Sequence, residues 1–179
     1  MAGESHPRHR RVTARVKWSA RPRPWSVGGC LRSEEGDRLG RMPSITGRLS
    51  ANLTVRDPLR SAVFYSEVLG MEVTYQYPQI IGPDVPMGYV CLREPSTDLE
   101  ICLVHHATNP GELFSEFRTG LDHLEFLVAK RADLDEWVAH LDALGVAHSG
   151  ITEPSYTRNA MLTFRDPDDI QLEFFWRAS

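Results

Sequence analysis

The chain of 179 residues is 41% hydrophobic with a formal net charge of -4, long enough to bury a core as one domain or as one domain with an appendage. No stretch approaches the ~18 consecutive apolar residues that a membrane span needs, so a membrane role is not expected. Cys30, Cys91 and Cys102 stand at unrelated spacings that suggest neither a disulfide framework nor a zinc finger, and a reducing cytoplasm suits them.

The modest total charge hides two unlike pieces. Residues 1–41 hold 10 of the 20 Lys and Arg against 4 of the 24 Asp and Glu, while the remainder holds 10 against 20. The basic piece has Pro7, Pro22 and Pro24 among its arginines, shows no helical or strand period, and contains few large aliphatics. Such a segment does not bury enough apolar surface to offset its ordering entropy. It reads as a disordered extension over residues 1–44, or as a lead ahead of a start at Met42. A secretory signal needs an apolar run of ~7–15 residues, which is missing, and Val27-Gly28-Gly29-Cys30 fails as a lipoprotein site for the same reason. A nucleic-acid arm lacks interleaved aromatics beyond Trp18 and Trp25, and the acidic remainder argues against polyanionic partners.

The domain is expected over residues 45–179. Leu49, Ala51, Leu53 and Val55 alternate with Ser50, Asn52 and Thr54, which is strand periodicity. Asp57-Pro58 supplies an N-cap followed by Pro at the first helical position. Leu59, Ala62, Val63 and Leu69 fall on one helical face, and Gly70 supplies the stop. Strands follow at 71–77, 87–93 and 98–104. A second strand–helix pair begins at His123–Val128, where Leu134, Trp137, Val138, Leu141 and Leu144 form a helical stripe ending at Gly145. Short strands near 146–150, 159–165 and 170–176 complete it.

These elements form two βαβββ units, about 48–106 and about 119–178. Ser50 to Val55 overlays His123 to Val128 at an offset of 73, and Leu99-Glu100-Ile101 overlays Leu172-Glu173-Phe174 at the same offset. One unit buries its sheet poorly alone, so an α+β fold is expected in which tandem modules share a core and form a curved eight-stranded cleft. Ser50, Glu100, His123 and Glu173 occupy the matched positions. Strand parity puts each on the face opposite its apolar neighbours, lining the cleft. Two carboxylates and an imidazole converging there suit a divalent metal such as Zn, Ni, Mn or Fe. Asn52 and Glu125 share that parity, and Glu125 adds a carboxylate beside His123 whose burial needs a partner or a cation. His106 shares parity with Glu100 while His105 points the other way. Tyr89 and Tyr156 are substrate-contact or packing residues.

Asn52-Leu53-Thr54-Val55-Arg56-Asp57, Phe64-Tyr65 with Val68-Leu69-Gly70, Gly120-Leu121-Asp122-His123, and Asp166-Pro167-Asp168 before Gln171-Leu172-Glu173 resemble the vicinal oxygen chelate superfamily. That group includes glyoxalase I, methylmalonyl-CoA epimerase, extradiol dioxygenases, fosfomycin resistance enzymes and bleomycin-binding proteins. The resemblance covers about 48–177 and identifies a fold better than a reaction. It implies metal ligands at Glu100, His123 and Glu173, with Ser50 where the family usually has His or Gln, so the fourth donor is weak. It further implies a metal-assisted lyase, isomerase, epimerase or dioxygenase acting on a small molecule with adjacent oxygens. Glu173 first, and Glu100 second, would move the proton. The competing expectation is a metal-free small-molecule-binding protein of the bleomycin-resistance kind. Either would work as a cytoplasmic protein, with a homodimer as the possible assembly. The rim segments 78–88 and 107–119 carry no readable motif.

Overall fold

The structure, a computed structural model, describes residues 49–82 and 84–178. The expected basic extension lies outside the described residues. Ten elements follow in order: β1 (Ser50–Thr54), α1 (Pro58–Leu69), β2 (Glu72–Tyr77), β3 (Met87–Arg93), β4 (Glu100–His106), β5 (Leu124–Leu127), α2 (Asp133–Leu144), β6 (His148–Thr152), β7 (Ala160–Arg165) and β8 (Gln171–Trp176). They make two βαβββ modules, each a four-stranded sheet with one helix, in orders β1-β4-β3-β2 and β5-β8-β7-β6. Within one chain no ladder joins the two sheets among the described residues, so β1 and β5 are both edge strands. None of the described helices is long and apolar enough to cross a membrane.

Helix α1 begins and ends as its sequence signals dictate. Asp57 Oδ1 accepts from the backbone N–H of Leu59 and Arg60, Pro58 opens the helix, and Gly70 closes it with φ 66° in the left-handed region. Its buried face differs from the expected one. Pro58, Ser61, Ala62, Tyr65 and Val68 are buried, whereas Leu59 and Val63 are 45% and 57% exposed. The reason is polar pairing with the second module. Ser61 Oγ donates to Asp168 Oδ2 at 3.3 Å and Tyr65 Oη donates to Asp166 Oδ2 at 3.1 Å, which turns the hydroxyl side inward. Helix α2 carries Asp133, Asp135 and Glu136 in its first turn, where the helix dipole favours them, and stops at Gly145 with φ 67°.

The core lies beneath the helices. Leu92, Ile101 and Leu103 of the first sheet, and Ala160, Leu162 and Leu172 of the second, have no exposed surface. The modules are joined through the β7–β8 turn: Arg56 Nε donates to Asp168 Oδ1 at 2.6 Å, and Phe114 N–H donates to the Asp168 carbonyl at 2.9 Å. Burial pushes the Asp166 carboxyl up to about 6, against hydrogen bonds from Ile170 N–H, Asp168 N–H and Tyr65 that favour its charged form.

Two expectations are corrected here. The cysteines are not all unpaired: Cys91 and Cys102 form a disulfide between β3 and β4. Their spacing of 11 fits no framework, but hairpin register sets them directly opposite each other, with Cα atoms 4.0 Å apart. The equal internal spacing of the two repeats does not become equal placement. Ser50 pairs with Glu100, yet it is Glu125 that pairs with Glu173.

The hairpins explain that shift. Arg93 pairs with Glu100, while its counterpart Arg165 pairs with Gln171. The second hairpin has one residue more between its Arg and its Glu, and turns in one residue fewer. Together these move Glu173 two positions up its strand, about 7 Å farther from the turn, with side-chain parity kept. The tighter turn is closed by the short Asp166 carboxylate, whose Oδ1 accepts from the N–H of both Asp168 and Ile170 at 2.8 Å. In the wider first turn the longer Glu94 gathers Ser96 and Thr97 instead.

Candidate metal centre

The second sheet assembles three donors. His123 immediately precedes β5, Glu125 is two residues further along the strand, and Glu173 stands opposite Glu125 on β8. Parallel pairing and shared parity put all three side chains on the face away from the helix. One ligand atom from each, an imidazole nitrogen and two carboxylate oxygens, lies within 4.8 Å of the others.

Electrostatics make this group unusual for a sheet face. Glu173 is only 6% exposed. Burial raises its pKa, the neighbouring His123 opposes that shift, and Glu125 and Asp122 add to it by repulsion. Asp122 Oδ1 accepts from His123 Nδ1 at 2.6 Å, which fixes the tautomer with the lone pair on Nε2. The exposed Arg177 stands beside the group, its Nη2 4.0 Å from Glu125 Oε1. An imidazole beside two carboxylates fits a borderline or hard divalent ion.

The other expected residues are placed differently. Ser50 and Glu100 face each other in the first sheet, outside this group. Glu100 stands opposite Arg93, and Ser50 Oγ lies 4.0 Å from Cys102 Sγ. Within the chain, then, the structure brings together His123 and Glu173 with Glu125, and does not bring Glu100 or Ser50 to them. His106 and His105 pair with Met87 and Gly88 at the far end of β4. Tyr89 packs with Tyr75 and Tyr77 at ring-centroid distances of 5.6 and 5.9 Å, whereas Tyr156 is 85% exposed.

Sequence reasoning missed Asp122 as the partner of His123, although its adjacency in Asp122-His123 was the available signal. A cavity of about 610 Å³ runs beside Glu125, between Leu69, Met71 and Leu99 of the first module and Phe126 and Trp137 of the second. His123 and Glu173 do not line it.

The family model described as the Glyoxalase/Bleomycin resistance protein/Dioxygenase superfamily matches residues 47–174. Among solved structures, a glyoxylase/bleomycin resistance protein/dioxygenase domain from Frankia sp. EAN1pec is 32% identical, with a TM-score of 0.64 over 76% of this chain and 95% of that one. Lactoylglutathione lyase from Agrobacterium tumefaciens is 18% identical, with a TM-score of 0.54 over 75% of this chain and 96% of that one. A mutant of the fosfomycin resistance protein FosX from Listeria monocytogenes, complexed with Mn(II) and 1S,2S-dihydroxypropylphosphonic acid, is 18% identical, with a TM-score of 0.54 over 75% and 95%. At that identity the last two share the fold alone. No curated protein matches the chain.

Proposed function

The chain belongs to the glyoxalase/bleomycin resistance protein/dioxygenase superfamily, and from that premise we propose that it is a metal-assisted enzyme acting on a small molecule with adjacent oxygens. The single observation that carries this reading is the convergence of His123, Glu125 and Glu173 within 4.8 Å. Without a cation, two carboxylates on one partly buried face repel each other, and Glu173 is desolvated at a cost.

His123 and Glu173 are the proposed ligands, with Glu125 as the third donor. A divalent ion held there, Zn, Ni, Mn or Fe, would supply Lewis-acid polarisation of the substrate oxygens. This chain's own residues do the rest. Asp122 orients the imidazole, Arg177 offers a positive rim beside Glu125, and Glu173 moves the proton, with Glu100 as the second candidate. This serves a lyase, isomerase or epimerase; a dioxygenase is the variant reaction on the same donors.

Glu100 belongs to the site only through a homodimer. Both β1 and β5 are free edges, so a second copy can lay its first sheet, with Ser50 and Glu100, against the donor face. A cytoplasmic protein without nucleic-acid or membrane partners completes the proposal. The neutral hydroxyl of Ser50 favours a second reading, a metal-free pocket of the bleomycin-resistance kind.

Metal analysis of protein purified in defined Zn, Ni, Mn and Fe separates the two. Stoichiometric metal that is lost in His123→Ala supports the enzyme. Protein that stays metal-free while binding small molecules overturns it.

A further inference from the structure

Cys91 and Cys102 occupy a specific station. Cys102 pairs with Asn52 of β1 as Glu173 pairs with Glu125 of β5, and Cys91 faces Cys102 as Thr163 faces Glu173. Cys102 shares parity with Glu100, so the disulfide lies on the open face of the first sheet, at the position that the donor cluster holds in the second. Ser50 Oγ is its hydroxyl neighbour. Cys102 is 7% exposed and Cys91 is half-buried, so Cys91 is the more exposed residue of the two.

The surrounding sheet is paired well beyond the bond. β3 and β4 are interior strands, registered over seven residue pairs from Met87 opposite His106 to Arg93 opposite Glu100. Leu92, Ile101 and Leu103 lock the other face into the core. The ladder therefore holds both sulfurs together whether or not they are bonded. A bond set within a complete ladder, on the face turned away from the core, points to chemistry rather than to stapling.

We propose that Cys91 and Cys102 form a reversible thiol–disulfide couple on the open face of the first sheet, exchanging with small dithiols and disulfides. In reduction, the thiolate of a dithiol attacks Cys91 Sγ, forming a mixed disulfide and releasing the Cys102 thiolate, which takes up a proton. The second thiol of the reagent then attacks its own sulfur in the mixed disulfide and releases Cys91. The protein gains two electrons and two protons, and the dithiol becomes a cyclic disulfide. Oxidation by glutathione disulfide reverses the balance and yields two glutathiones.

The test uses the full chain carrying Cys30→Ser, so that only this pair is counted. Native protein treated with glutathione disulfide should take no iodoacetamide label. After dithiothreitol it should take two labels with circular dichroism unchanged, and a second glutathione disulfide treatment should return it to none. A Cys91→Ser/Cys102→Ser variant that folds with a similar melting temperature supports the same reading. Two labels that persist in glutathione disulfide overturn the couple. Loss of the folded spectrum on reduction also overturns it, because the bond is then a structural staple.

Discussion

The two sheets repeat one topology and differ in what they present on the same face. The second gathers His123, Glu125 and Glu173; the first shows Ser50, Asn52, Glu100 and the Cys91–Cys102 disulfide. In the first sheet Glu100 is registered opposite Arg93, whose guanidinium pairs with Asp98 at 3.2 Å. In the second, Glu173 faces the neutral Thr163 and the acidic Glu125. Negative charge accumulates in the second sheet, where Glu125 and Asp122 both act on Glu173 by repulsion. The difference originates in the hairpin turns, where a loop one residue tighter, closed by Asp166 in place of Glu94, and one extra residue before the following Glu together move it by two stations.

The same substitution made in both sheets sharpens this contrast most. Glu173→Gln removes the buried carboxylate proposed as a ligand, and metal affinity should fall by more than the roughly 100-fold upper range for losing an outer-shell partner. Glu100→Gln should cost less than about tenfold, because Glu100 lies outside the donor group of its own chain. Calorimetric titration of the metal-stripped protein with Mn or Zn measures both. Equal losses would break the comparison and make the first sheet an equal wall of the site.

The next largest effect concerns the turn that separates the sheets. Asp166 has its pKa raised to about 6 by burial. A raised carboxylate contributes stability that is fully present below its ordinary value near 4 and is lost as pH rises through 6. Asp166→Asn keeps an acceptor for the two backbone N–H groups and does not titrate. Relative to this variant, the wild type should gain up to about 3 kcal/mol between pH 7 and pH 4, at 1.36 kcal/mol per unit. Denaturant midpoints across that range report it, and a constant difference between the proteins would show that Asp166 does not titrate as described.

Much of this was legible in the sequence because it is local. Strand alternation, the Asp57-Pro58 cap, the Gly70 and Gly145 stops and the repeated modules need only neighbouring residues. What failed depended on partners far along the chain. Leu59 and Val63 match the apolar period as well as Tyr65 does, and only the hydroxyl contacts to Asp166 and Asp168, about a hundred residues away, decide which face turns inward. The disulfide and the two-residue shift are matters of hairpin register, which turn chemistry sets and identity overlays do not record. Equal sequence spacing therefore paired Glu100 with Glu173 as counterparts, whereas the ladders match Glu173 with Cys102.

The smallest effect isolates one side chain that the sheets do not share. Asp122 holds His123 Nδ1 at 2.6 Å, whereas the overlaid residue in the first repeat is Leu49, 85% exposed and preceding a serine. Asp122→Asn keeps an amide oxygen able to accept from Nδ1–H but removes the charge that makes the imidazole a stronger donor at Nε2. Asp122 is itself largely exposed, so water screens much of that influence. Metal affinity should drop about tenfold, at the low end for an outer-shell carboxylate. Asp122→Ala should lose more, because the ring is then free to rotate. Affinities measured at fixed pH for the three proteins should fall in the order wild type, Asn, Ala. If all three bind alike, His123 is held in place by something other than Asp122, and the second sheet's advantage as a metal face rests on its carboxylates alone.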